Sequence, residues 1–120
     1  MALKVKRAYE AAAASDGMRI LVDRLWPRGI AKEKAKVDLW LKEVAPSDAL
    51  RKRFHAKPEH WDDFLKAYTA ELKSDEAAAA ARELRRHIRR GTVTLLYAAR
   101  DEAHNNAVAL KAWLTRRKRK

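Results

Sequence analysis

The 120-residue chain has no cysteine, only three glycines and only three prolines. Without cysteine it has no disulfide, no thiolate nucleophile and no cysteine-ligated metal. With so few glycines, it also has no Gly-rich phosphate loop. No apolar run approaches the roughly 20 residues that cross a bilayer, and the N-terminus lacks the apolar core of a signal peptide. We therefore expect a cytoplasmic protein with no membrane partner.

Acidic residues are few by comparison with basic ones. The chain has 28 lysines and arginines against 16 aspartates and glutamates, a formal net charge of +12. Such an excess attracts polyanions by a salt-sensitive electrostatic mechanism. The length fits one domain with its own core. We assign residues 1–115 to that domain and residues 116–120, which are all basic, to a C-terminal tail.

Three stretches have the pattern of β-strands. Residues 3–9 alternate apolar and basic side chains, which is typical of a half-buried strand near a sheet edge. Residues 20–25 and 92–98 are almost continuously apolar, as central strands are. About sixty residues of helical pattern separate these two strands, and a crossover of that length favours parallel pairing. The direction of the first strand stays open because its connection is short.

Apolar spacing predicts about five helices around this sheet, and so a small α/β domain. Residues 32–36 are expected to form a charged loop. Ser47 is a good N-cap for a helix to about residue 55, and Pro58 suits the first turn of the next. Ser74 starts a further helix that ends before Gly91, and Asp101 is a candidate to cap the last one. A short amphipathic helix before Ser47 is predicted from Val37, Trp40, Leu41 and Val44.

Charged and aromatic residues follow both central strands where each strand ends. The carboxyl ends of parallel strands lie at one edge of the sheet, where ligands of open α/β sheets bind. The last helix points its N-terminus to the same edge and offers free N–H groups to an anion. We expect a small ligand that carries phosphate or carboxylate, bound by Arg24, Trp26, Arg28, Tyr97, Arg100 and Asn105.

Proton transfer at this edge is a further hypothesis, which leaves enzymatic activity open. Asp23, Asp101 and His104 are its candidates by position, and His104 is the only histidine that the sequence places nearby. Each residue also has a structural explanation, such as an ion pair for Asp23 or a helix cap for Asp101. The four histidines fit no metal-ligand spacing, so that neither a metal nor a cofactor is expected.

A nucleic-acid-binding or regulatory accessory protein, acting through a basic helix face and the tail, is the alternative function. The fourth helix carries a basic face that is suited to phosphate contacts, and the tail adds to it. A solvated surface explains the same pattern, and no helix-turn-helix, zinc-finger or RNA-recognition signature accompanies it. The oligomeric state stays open. The arginines of this face are Arg82, Arg85, Arg86, Arg89 and Arg90.

Three motifs taken together resemble a known family. They are residues 19–29 (RILVDRLWPRG), residues 40–47 (WLKEVAPS) and residues 94–101 (TLLYAARD), the last followed by Asn105 and Ala107. Their order and spacing, over about residues 5–115, resemble the YeaO-like branch of domain of unknown function 488. The resemblance implies a small bacterial protein with an α/β fold and no established activity. The family often has a histidine where this chain has Asn106, which argues against an acid–base role there.

Overall fold

A four-stranded sheet, parallel throughout, forms the centre of the computed structural model, which describes residues 2–116. Its order is β1-β4-β2-β3, so that β4 and β2 are central and β1 lies at an edge, as the sequence predicted. All five residues of β4 are buried. The first strand, whose direction was open, runs parallel to β4. The bounds are Leu3–Arg7 (β1), Met18–Leu21 (β2), Leu39–Trp40 (β3) and Val93–Tyr97 (β4).

Five α-helices accompany the sheet in the described residues, which confirms the predicted small α/β fold. Short 3-10 helices lie at Ala14–Asp16 and Lys42–Val44. None of the helices within residues 2–116 is long and apolar enough to cross a membrane. The α-helices are Lys32–Ala35 (α1), Asp48–Ala56 (α2), Trp61–Glu71 (α3), Asp75–Arg90 (α4) and Asn106–Thr115 (α5).

The two faces of the sheet carry different cores because side chains alternate along each strand. Ile20 and Leu95 point into the main core, which α2 to α5 cover. Leu21 and Leu96 point to the opposite face, into a smaller cluster. There the cover comes from Trp26 and Val37, which lie between β2 and β3, and from Trp40 of β3. The long loop after β2 is thus fixed on the sheet, and its charged residues are held near the strand ends.

The helix predicted over residues 37–44 is wrong. Leu39 and Trp40 form β3, the N–H of Asp38 donates to the carbonyl of Arg19 at 2.8 Å, and that of Leu41 donates to Leu21 at 3.0 Å. A short apolar segment does not distinguish helix from strand by its spacing. Here the free edge of β2 supplies hydrogen-bond partners for the backbone of this segment, so that the segment forms a strand. The loop predicted at residues 32–36 is also wrong, since α1 lies there.

Helix starts agree with the sequence where a serine caps them. Ser47 Oγ accepts from the N–H of Leu50 at 3.1 Å, and Ser74 Oγ accepts from that of Ala77 at 3.2 Å. Pro58 precedes α3, which begins only at Trp61. Asp101 does not cap α5, because Asn105 does so by accepting from the N–H of Val108 at 2.9 Å. β2 also ends at Leu21 and does not continue to residue 25.

The first residue of the 19–29 motif belongs to a buried ionic cluster at the opposite, amino edge of the sheet. Arg19 Nη1 lies 2.6 Å from Asp16 Oδ2, and its Nη2 donates to the carbonyl of Ala35 at 2.8 Å. Lys6 Nζ lies 3.1 Å from Asp16 Oδ1. Burial would raise the pKa of Asp16, but the N–H of Ala13 and the two cations outweigh it and lower that pKa. Arg19 is therefore structural.

Candidate functional site

A cavity of about 600 Å³ opens at the carboxyl edge of the sheet, where β2 and β4 end. Its walls come from the segments that follow β1, β2 and β4, from α2, α3 and the turn between them, and from the start of α5. The volume lies within the roughly 300–1,000 Å³ that small-molecule sites occupy. Seven residues singled out from the sequence line it: Asp23, Arg24, Trp26, Arg28, Arg100, Asp101 and His104.

Two other residues singled out from the sequence do not line the cavity. Tyr97 and Asn105 are each only 2% exposed. Tyr97 is part of the main core, where burial, with the charges of Glu102 and Glu10, raises the pKa of its hydroxyl. Asn105 caps α5 and donates from Nδ2 to the carbonyl of Asp101 at 2.9 Å. Both side chains are therefore buried in the fold and are not part of the cavity wall.

Asp23 joins three elements at the base of the cavity. Its Oδ2 accepts from the N–H of Ala98 at 2.9 Å, and its Oδ1 accepts from Asn106 Nδ2 at 2.9 Å. The indole N–H of Trp40 donates to its backbone carbonyl at 2.7 Å. Burial raises the pKa of the Asp23 carboxyl, and the bonds from Asn106 and Ala98 oppose this. The N–H of Ala98 lies just beyond the end of the β2–β4 ladder. It therefore donates to the Asp23 carboxylate in place of a backbone carbonyl.

The arginines of the cavity differ in their hydrogen bonds and salt bridges to the rest of the protein. Arg24 donates to the carbonyls of Pro46 at 3.2 Å and Ala45 at 3.1 Å, so that it fixes the segment before α2. Arg28 and Arg100 are exposed, and no carboxylate within residues 2–116 forms a salt bridge with either. These two guanidinium groups are therefore available to an anion.

Residues of α2 were missed by sequence reasoning, and one of them is a further cation. Arg51 lies 3.5 Å from Asp48, and its Nε is buried with no hydrogen-bond partner in the part of the chain that the structure describes. His55 also lines the cavity, so the expectation that His104 is the only nearby histidine is wrong. In the sequence, an N-cap and an apolar stripe predict helix α2, but they do not predict which edge of the sheet the helix covers.

Aromatic and proline residues form the apolar part of the wall. The indole N–H of Trp26 donates to the carbonyl of Ile30 at 2.8 Å, and its ring meets Trp40 edge-on at 5.5 Å between centroids. The hydroxyl of Tyr9 donates to the carbonyl of Arg28 at 2.8 Å and connects the segment after β1 to the segment after β2. The remaining apolar lining residues are Leu25, Pro27, Pro46, Phe54, Pro58, Phe64, Ala98 and Ala99.

Asp101 and His104 form an exposed pair at the rim. Asp101 Oδ1 accepts from the N–H groups of His104 at 3.0 Å and Ala103 at 2.9 Å, and these bonds lower the pKa of the carboxyl. His104 Nδ1 lies 3.3 Å from Asp101 Oδ2, while its ring meets Trp61 edge-on at 5.0 Å. Asp101 therefore organises the turn before α5. Among residues 2–116, no group of three or more acidic or histidine side chains is arranged to hold a metal.

The basic face of α4 is only partly free. Arg85 lies over the ring of Trp113 at 5.1 Å and donates to the carbonyl of Leu114 at 3.4 Å, which attaches it to α5. Arg116 lies over the same ring at 5.1 Å. The rest of the predicted tail, residues 117–120, lies outside the described residues. The exposed arginines of α4 are Arg82, Arg86, Arg89 and Arg90.

Fold and cavity together define a small parallel α/β domain with an arginine-bearing, aromatic-walled cavity at its carboxyl edge. Over residues 2–120 the chain matches the family described as "Inactive DUF488-N3 subclade". It is 43% identical over 114 residues to "Uncharacterized protein YeaO" of Escherichia coli, which covers 95% of this chain and 97% of that protein. It is 44% identical over 115 residues to "Uncharacterized protein Rv3073c" of Mycobacterium tuberculosis, covering 96% and 95% respectively. No solved structure matches the chain.

The chain therefore belongs to the DUF488-N3 subclade, in its YeaO-like branch. This confirms the family that the three sequence motifs indicated.

Proposed function

We propose that the cavity at the carboxyl edge of the sheet binds a small anionic ligand and does not transform it. The observation that carries this proposal is the exposure of Arg28 and Arg100 and their lack of an acidic partner in the described residues. Both line the same cavity, both are exposed, and neither forms a salt bridge within residues 2–116. Guanidinium groups bind phosphate and carboxylate through paired, charge-assisted hydrogen bonds. An anion with access to both arginines would gain such bonds without displacing an internal carboxylate.

The contacts of Asp23 favour binding over catalysis. Both of its oxygens accept hydrogen bonds from amide groups, one from Ala98 and one from Asn106. These two donors stabilise the ionised carboxylate and fix its orientation, which suits a group that accepts hydrogen bonds from a ligand. The family's description as an inactive subclade supports the same choice.

A thermal-shift comparison tests the proposal with two double variants of equal charge change. Arg28→Ala with Arg100→Ala removes the two exposed cations of the cavity, whereas Arg82→Ala with Arg86→Ala removes two exposed cations of α4. Ribose 5-phosphate and inorganic phosphate should stabilise the native protein in low and in high salt. The cavity variant should lose this stabilisation and the α4 variant should keep it. No shift by any small anion, or the same shift in both variants, would overturn the proposal.

Nucleic-acid binding through α4 is the competing proposal, and its support is the exposure of Arg82, Arg86, Arg89 and Arg90. Binding of this kind weakens steeply as salt rises, because neutralised phosphates release counterions. The same two variants distinguish it. Binding of a single-stranded oligonucleotide that disappears in high salt and in the α4 variant, but survives in the cavity variant, would favour nucleic acid.

A further inference from the structure

The cavity combines groups that one simple anion cannot satisfy. Arg28 and Arg100 are exposed, while the carboxylate of Asp23 is half-buried and lines the same cavity. An anionic group placed against Asp23 would be repelled, so that the ligand must turn a different chemistry toward it. Each carboxylate oxygen has two acceptor positions, and each oxygen of Asp23 receives one hydrogen bond from the protein. Asp23 can therefore accept further N–H groups from a ligand.

Part of the lining of this cavity is aromatic and apolar. Two half-buried rings, those of Trp26 and Phe54, line it together with the more deeply buried Phe64, and three prolines complete this part: Pro27, Pro46 and Pro58. Phe54 and Phe64 also pack against each other at 4.6 Å between centroids, which holds both planes in place. Rigid aromatic walls bind planar heterocycles by stacking, whereas a sugar phosphate or inorganic phosphate gains little from them.

We infer that the ligand is a nucleoside 5′-monophosphate, with its phosphate at Arg28 and Arg100 and its base stacked on the aromatic wall. The N–H edge of the base donates to Asp23. This inference rests on the proposed function, because it assigns the anion of that proposal to a ligand class. Bases held in protein pockets are recognised in this way, by stacking together with hydrogen bonds to their polar edge. Guanine fits best, since its edge presents adjacent N–H donors.

Isothermal titration calorimetry with two probes tests the inference. Guanosine 5′-monophosphate and ribose 5-phosphate share the phosphate and the ribose but differ in the base. The native protein should bind the nucleotide about ten-fold more tightly, as expected for one stacked base. Ribose 5-phosphate that binds as tightly as the nucleotide would overturn the inference and leave the proposed function intact. Failure of both probes to bind would overturn the two together.

Two variants and a control test which residues cause the preference for the nucleotide over ribose 5-phosphate. Asp23→Asn removes the charge of the acceptor, and Phe54→Leu removes a ring but keeps apolar volume. The second variant tests the inference even if Asp23→Asn does not fold. In both variants, the ratio of the two affinities should fall toward one. Trp113→Leu is the matched control, because this half-buried ring lies against Arg85 and outside the cavity. An unchanged ratio in Phe54→Leu would contradict the inference.

Discussion

The side-chain amide of Asn106 donates to Asp23 Oδ1 at 2.9 Å and to the carbonyl of Val22 at 3.0 Å, which connects the first turn of α5 to the end of β2. One asparagine thereby satisfies two acceptors at the base of the cavity. An amide gives this position a fixed donor, whose role does not depend on pH.

Replacing Asn106 by alanine should destabilise the fold and raise the pKa of Asp23 further. Both acceptors lose their donor, and an unsatisfied buried polar group costs about 1–3 kcal/mol. The carboxylate also loses a bond that favours its ionised form. Chemical denaturation and a carboxyl-carbon NMR titration measure the two effects. Glu102→Ala, an exposed change nearby, should alter neither, and an unshifted Asp23 titration in Asn106→Ala would contradict the assignment.

Asp16→Asn should cost about 3 kcal/mol, because it leaves the buried guanidinium of Arg19 without its carboxylate. The pKa of Asp16 is lowered by folding. Its stabilisation is therefore complete above the ordinary aspartate pKa and is lost as the pH falls through the lowered value. Urea denaturation at neutral and acid pH measures the free energy of unfolding of both proteins. The difference between native protein and variant should be smaller in acid, and a larger difference in acid would contradict the predicted pH dependence.

The matched control for Asp16 is a carboxylate in an exposed pair. Asp63 lies 3.9 Å from His60, and its side chain is 74% exposed. Exposed ion pairs contribute about 0–1 kcal/mol, so that Asp63→Asn should change stability little at any pH.

The parts of the fold that the sequence predicted correctly depend on local patterns. β4 lies in an almost continuously apolar run, and the caps Ser47 and Ser74 start their helices through bonds to residues three positions later. Arg28 and Arg100 were assigned to one edge by the general rule that parallel strands end together. β3 could not be found in this way, because its partner is the free edge of β2 and nothing in residues 37–44 encodes that pairing.

The candidate site was harder to predict because part of its wall is tertiary. Arg51 and His55 enter the cavity through the position of α2 across the sheet edge, and that position leaves no local signal. Tyr97 and Asn105 show the opposite difficulty. Both lie at the correct ends of their elements, but the side-chain direction alternates along a strand, and a helix cap turns back toward its own backbone. Proximity in sequence to a site therefore does not establish contact with it.

Ser47→Ala should destabilise the protein more than Ser74→Ala, although both remove an N-cap. Each loses a bond to a helix N–H, which costs about 1 kcal/mol. Ser47 Oγ additionally donates to Glu71 Oε2 at 2.6 Å and so joins α2 to the end of α3. A bond to a charged group contributes about 1.5–3 kcal/mol, and denaturation midpoints should order the variants accordingly. Equal losses would contradict a contribution from Glu71, and Glu71→Gln should reduce the difference.

Gly17→Ala and Gly91→Ala should have effects of opposite sign. Gly17 has φ +65°, and a Cβ there would lie 2.2 Å from the carbonyl oxygen of Thr92, which accepts from the N–H of Met18 at the start of β2. Left-handed backbone alone costs a side-chain-bearing residue about 1–2 kcal/mol, and the collision adds to this.

Gly91 has extended backbone, and no atom lies within 4 Å of the position that an alanine methyl group would take. Alanine there should be neutral or stabilise by about 0.4–1 kcal/mol through the unfolded chain. Thermal unfolding of the two variants checks the difference, and equal melting temperatures would show that the approach of residue 17 to Thr92 can relax without cost.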